Sequence, residues 1–197
     1  MFSLYLILIL NYNSDYMFVF SLFSDHDRFL EDMVKIVLKS FQRETFQPGT
    51  YQVFINHRGP DAKLTHANLI YYRLKHCGLR VFLDDEELRK GNTFGPAIEA
   101  AIRGASVNVV IFSEKYAESR WCLNELCLIL KSFHEGNATI VPLFYQVEPT
   151  DLRDIKKEPY ADAFRQHQRK GRDTTEWEKA LKEAAGISGF IVKTKQR

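Results

Sequence analysis

Cysteine is scarce in this chain and wrongly spaced for structural chemistry. The 197 residues include three, Cys77, Cys122 and Cys127, an odd number with no C-x-x-C pair and no zinc-ligand spacing. A disulfide framework is excluded, and the pattern suits buried thiols in a reducing, cytoplasmic compartment. The Asn-Ala-Thr sequon at Asn137 would matter only in a secreted protein. Histidine occurs six times but never as H-E-x-x-H or a comparable arrangement, so no metal site is expected. A surplus of one charge is missing too. The 27 basic and 25 acidic residues interleave to a formal net charge of +2, which leaves no basic stripe for phosphates, and nucleic acid is not an expected partner. Neither G-x-G-x-x-G after the first strand nor G-x-x-x-x-G-K-[ST] occurs, which removes hydride-transfer dehydrogenases and P-loop NTPases.

A long apolar run is also absent. The N-terminal "MFSLYLILILNYNSDYMFVFSLFSDHD" is broken by "NYNSD" into runs of about ten and about seven apolar residues, both short of the roughly 18–20 needed to span a bilayer. No Lys or Arg precedes them, so a secretory signal fits poorly. Residues 1–48 are expected to be a poorly ordered extension or to hold a short amphipathic helix, with membrane contact by residues 1–24 the weaker alternative. The helical part is "FLEDMVKIVLKSF", whose face is Leu30, Met33, Val34, Val37, Leu38 and Phe41.

What is present is the composition of one globular domain: 45% hydrophobic and 26% charged residues. It is expected to span residues 49–190, with 191–197 as a tail. From Tyr51 on, strand and helix signals alternate. Apolar runs at 51–55, 79–83, 107–112, 138–145 and "GFIV" read as five strands. Between them lie helical faces: Ala67, Ile70, Leu74 and Cys77, stopped by Gly78; Phe94, Ile98, Ile102 and Ala105; Leu123, Leu126, Cys127 and Leu130; and a stretch with Tyr160, Phe164, Trp177 and Leu181. Helical crossovers imply an α/β fold, a flavodoxin-like five-stranded parallel sheet of order 2-1-3-4-5 with helices on both faces.

Such sheets bind ligands beyond the carboxyl ends of the strands where the winding reverses, between the first and third strands. That rule selects "NHRGP", Asn56 to Pro60, and "SEKYAESRW", Ser113 to Trp121. Arg58 offers a planar guanidinium for phosphate and Gly59 a close backbone approach, although a plain turn with a solvated arginine explains both equally simply. Trp121 and Glu125 lie one turn apart on a face distinct from the leucine stripe. The plain explanation of Glu125 is a carboxylate in the first turns of a helix, favoured by the dipole. The acidic run Asp84 to Glu87 and the basic residues Arg169 to Arg172 read as solvated.

The ordered blocks "YQVFINHRGPD", "VFLDDEELRKG", "AIEAAIRGASVNVVIFSEKYAESRWCLNEL" and "IVPLFYQVEPTDLR" closely resemble the plant-type Toll/interleukin-1 receptor (TIR) domain over roughly residues 50–190. The resemblance implies a cytoplasmic immune-signalling domain that self-associates, meets immune receptors, and in many plant members cleaves the nicotinamide-ribose bond of NAD as its substrate. On this resemblance Glu125 is the catalytic residue, and Arg58, Gly59, Arg89, Ser113 and Trp121 contact the nucleotide. The competing reading is a catalytically inactive TIR adaptor working by homotypic association. Where the family usually has "RGxDTR" this chain reads "RGPDAK", with Ala62 and Lys63; His66 replaces a common phenylalanine, and Asn68 and Leu69 stand where some members have Ser-His. These changes bear on the self-association helix more than on the pocket. If the chain ends at Arg197, it is TIR-only, without a nucleotide-binding or leucine-rich repeat region to gate assembly. A phosphoacceptor receiver shares the strand order but needs an aspartate where Phe112-Ser113 stands.

Overall fold

The computed structural model describes residues 25–41, 51–59, 66–83 and 95–193, with 25–28 by backbone alone. Helix α1 (Asp25–Ser40) precedes strand β1 (Val53–His57). Then come α2 (Ala67–His76), β2 (Val81–Leu83), α3 (Pro96–Gly104) and β3 (Val107–Phe112). A 3-10 turn (Tyr116–Glu118) leads into α4 (Arg120–His134), followed by β4 (Thr139–Tyr145). Three helices, α5 (Pro149–Arg153), α6 (Ala161–Arg169) and α7 (Thr175–Ala184), precede β5 (Phe190–Val192). All strand pairings are parallel and the order is β2-β1-β3-β4-β5. This is the flavodoxin-like sheet that the alternating pattern predicts.

The strands read as continuous apolar runs because both faces of the sheet are covered. Along β1, Val53 and Ile55 point into one core with Leu74, Val109 and Leu143, while Phe54 points into the other with Ile102, Leu126 and Phe112. Chain direction explains which helices lie where. The first crossover runs outward from β1 to β2 and the later ones run the opposite way, so right-handedness puts α2 on one face and α3, α4 and α7 on the other. A single crossover helix cannot cover the first face as far as β5. The apolar side of α1 completes it: Leu30, Met33, Val34 and Val37 are buried in the same core as α2 and β5, and Phe29 meets Phe190 edge-on at 5.6 Å. Residues 29–41, expected to hold a short amphipathic helix, therefore build part of the core.

Two local features show how sequence sets element ends. Gly78, at φ +82°, closes α2: its N–H donates to the Lys75 carbonyl and the Leu79 N–H to that of Leu74, the paired bonds of a left-handed helix cap. Pro142 sits inside β4, where a missing N–H is normally disallowed. Its carbonyl points to the β5 side, where a Cβ on Gly189 would clash with it. The amide proton it lacks would also have faced that side, just before β4–β5 pairing begins at Leu143–Phe190, so no β3–β4 bond is lost.

Several expectations need correction. The strand expected at 51–55 runs on through His57, which brings Asn56 into the sheet. The helical stretch from Tyr160 to Leu181 is two helices, broken at Gly171, φ +69°. Cys122 is buried, but Cys77 is exposed and Cys127 intermediate; burial pushes the Cys127 thiol up to about 11. Arg172 is not solely a solvated charge, because its guanidinium donates to Nδ1 of His167 at 2.7 Å. Phe94 and the run Asp84 to Glu87 lie outside the described residues.

His167 carries a pH prediction. Nε2 donates to the Ala117 carbonyl at 2.8 Å while Nδ1 accepts from Arg172, so the neutral ring is the form the structure holds. Burial is the main cause holding its pKa below the ordinary 6.5. The unfolded chain then takes up this proton more readily, so stability is full above about pH 6.5 and falls as pH drops below it. Melting temperatures measured from pH 8 to 5 should fall on the acid side, and His167→Gln should flatten part of that fall.

Candidate functional site

The site begins at the carboxyl ends of β1 and β3, adjacent strands paired as far as His57–Ile111. Here the winding reverses. Two loops leave the rim side by side, and an ion pair joins them: Nη2 of Arg58 lies 2.7 Å from Oε2 of Glu118. Behind the rim, the Tyr160 hydroxyl donates to the Ser113 carbonyl at 2.9 Å and His167 holds the Ala117 carbonyl. The loop after β3 is thus fastened from α6 and from the residue just before it.

The same loop starts α4. Ser119 is its N-cap, its hydroxyl accepting from the Cys122 N–H at 3.2 Å. Glu125 is the sixth helical residue and 0% exposed. Both facts revise expectation. It lies beyond the first turn, so the dipole account does not hold. It is also not set apart from the packing stripe, because α4 is enclosed by the sheet, α3 and α7, and its buried arc widens to include Cys122, Leu123, Glu125, Leu126, Ile129, Leu130 and Ser132.

A buried carboxylate needs donors. Asn56, also 0% exposed, supplies one from β1: its Nδ2 donates to Oε2 of Glu125 at 2.7 Å. Tyr116, fully buried, donates its hydroxyl to Oδ1 of Asn56 at 2.5 Å, with the Cys122 carbonyl 3.1 Å away as an alternative acceptor. Burial raises the Tyr116 pKa well above its usual value, so the phenol remains a donor. Cys122 Sγ adds a contact to the His57 carbonyl at 3.4 Å, tying α4 to the strand end.

Of the site residues predicted from sequence, Arg58, Gly59, Ser113, Trp121 and Glu125 gather at these two strand ends and the start of α4. Arg58 is engaged by Glu118. Gly59 and Ser113 are buried. Trp121 is half-buried, with the Arg120 guanidinium 4.4 Å from its ring centroid, so one indole face is occupied. Arg89 lies outside the described residues. Sequence reasoning selected the two segments that hold Asn56, Tyr116 and Glu118 but gave these three residues no role. The signal for Asn56 was there: an amide in "VFINH", a strand otherwise apolar until its last residue. Among the described residues, no group of three or more His, Cys, Asp or Glu could hold a metal ion, and no helix is long and apolar enough to cross a membrane.

Fold and site together define a doubly wound α/β domain whose polar side chains converge on one buried carboxylate at the reversal point. Comparison with known proteins assigns the family: the TIR domain model matches residues 50–197, and the chain belongs to that family. It is 39% identical over 144 residues to TMV resistance protein N of Nicotiana glutinosa, covering 71% of this chain and 12% of that one. It is 36% identical over 142 residues to disease resistance protein RPV1 of Vitis rotundifolia, 72% of this chain and 10% of that one. The chain thus spans about a tenth of these relatives' length. It is 46% identical over 102 residues to a Brachypodium distachyon protein, the probable 2' cyclic ADP-D-ribose synthase BdTIR, covering 52% of this chain and 44% of the other. Among solved structures, the TIR domains of the activated Roq1 resistosome match at a TM-score of 0.64 and 33% identity, over 74% of this chain and 90% of that one. Helix α1 precedes the matched region.

Proposed function

We propose that this domain cleaves the nicotinamide-ribose bond of NAD and acts in plant immune signalling through self-association in the cytoplasm. The observation carrying this reading is the carboxylate of Glu125 at the reversal point, held by a hydrogen bond from Asn56. Packing does not explain it, since an apolar residue of similar volume at such a position is often neutral or stabilising. A carboxylate in this place suits a reaction that develops positive charge. Nicotinamide leaves NAD by taking the electron pair of the glycosidic C–N bond, which neutralises its ring, so departure needs no general acid. The sugar left behind is an oxocarbenium-like cation, and a fixed carboxylate stabilises it. Water or a hydroxyl then attacks the anomeric carbon and releases its proton.

Arg58 and Trp121 position the substrate in this reading, with Gly59, Ser113 and Arg89 around it. Since Glu125 has no exposed surface, a ribose reaches it only after the covering side chains part. The similarity to BdTIR supports the chemistry, and the similarity to TIR domains of an activated resistosome supports action in assemblies. The adaptor reading is favoured by one observation, the same complete burial of Glu125. The deciding experiment incubates the full chain, free and concentrated on a bead surface, with NAD and quantifies nicotinamide. Release that grows with surface density supports the enzyme; none in either format leaves the adaptor.

The Arg58–Glu118 pair gives a further prediction. Glu118 competes with a phosphate for the guanidinium. Glu118→Gln should lower KM for NAD by up to about fivefold with kcat little changed, the scale of a partly exposed ion pair. Initial rates across NAD concentrations check this.

A further inference from the structure

We infer that Asn56 and Tyr116 are positioning residues that together set the orientation and the charge state of the Glu125 carboxylate. The inference rests on the NAD-cleaving reading of the site and adds two residues to it.

Three elements meet here, and each contributes one buried polar group; β1 is separated by 60 or more residues from the other two, which are adjacent in the chain. Asn56 comes from β1, Tyr116 from the 3-10 turn after β3, and Glu125 from the second turn of α4. All three are 0% exposed. The order of donation is fixed by chemistry. An ionised carboxylate only accepts, so the Asn56 group 2.7 Å from it is the NH₂ end. A flipped amide would set its carbonyl oxygen against the carboxylate oxygen. The carbonyl end must then face Tyr116, whose hydroxyl donates to it at 2.5 Å. The phenol locks the amide, and the amide locks the carboxylate.

Two consequences follow for the reaction. A carboxylate oxygen held by a fixed amide keeps the group from turning freely about its last side-chain bond, so its plane is set before substrate arrives. A donor to the ionised form favours that form, so the Asn56 amide offsets part of what burial costs the charge. The Tyr116 ring also packs edge-on against Phe112 at 4.8 Å, which keeps the phenol placed even without its hydroxyl.

The test uses Tyr116→Phe and Asn56→Asp in the full chain, with melts to confirm folding and two readouts. One is the ¹³C-carboxyl NMR titration of Glu125, its resonance assigned by its loss in Glu125→Gln. The other is the pH dependence of kcat and KM for nicotinamide release. Tyr116→Phe should lower kcat about tenfold at unchanged KM, because the carboxylate is less well fixed. Asn56→Asp puts a second carboxyl against Glu125, so the pair shares a proton, and both the titration midpoint and the acid limb of kcat should rise by more than about one pH unit. Parental kcat, KM, acid limb and Glu125 titration in both folded variants would overturn the inference while leaving NAD cleavage intact. If the parent releases no nicotinamide but the Glu125 titration moves in both variants, the NAD reading falls and the control of Glu125 by Asn56 and Tyr116 stands.

Discussion

Glu125→Gln is expected to reduce nicotinamide release from NAD by at least about a hundredfold, the scale seen when one preorganised electrostatic group is removed from a transition state. Glutamine matches the shape of the carboxylate and keeps an oxygen that can accept from Asn56 Nδ2. The fold should therefore melt close to the parent, and only the charge is lost. Glu125→Ala is the poorer variant. It leaves the buried Asn56 amide without this acceptor, a cost of about 1–3 kcal/mol, so lost activity would be mixed with lost stability. Chromatographic assay of nicotinamide beside a thermal melt separates the two effects. A glutamine variant that works at the parental rate would remove Glu125 from the chemistry.

Val37→Asp is expected to cost about 4 kcal/mol or more, because it places an uncompensated charge at a fully buried position. Val37 and Met33 are both 0% exposed, in the core shared with α2, β3 and β5. For a chain of this size the drop in melting temperature should be about 8–16 °C. Ile36→Asp is the control on the same helix, since Ile36 is 42% exposed, and should change little. Differential scanning calorimetry of the two variants makes the comparison. If Val37→Asp melts with the parent, α1 does not cover the sheet in solution. Helix α1 lies outside the matched TIR region yet closes a face of its sheet.

Much of the architecture was legible in the sequence because strands buried on both faces leave unbroken apolar runs. "VNVVIF" reads as a strand and is one, Val107–Phe112. The position of the site was legible too, since strand order alone places the reversal between β1 and β3. The limit of β1 was less clear. The run of apolar side chains stops at Ile55, and only backbone pairing with β3 shows that Asn56 and His57 continue the strand. The break at Gly171 between α6 and α7 falls in residues 165–176, which contain no apolar side chain, so apolar periodicity carried no information there.

By itself the sequence determined the layered α/β order, the TIR resemblance and the four-residue interval between Trp121 and Glu125. These are local or periodic properties, written in neighbouring residues. Only the tertiary structure decided that Glu125 faces inward, that Asn56 from position 56 holds it, that Glu118 occupies Arg58, and that α1 belongs to the core. Each of those facts depends on which surfaces meet across 60 or more residues of chain or across the sheet. Periodicity tells which side of a helix is apolar; it does not tell how many neighbours enclose that helix, and for α4 the enclosure decides what a carboxylate there can do.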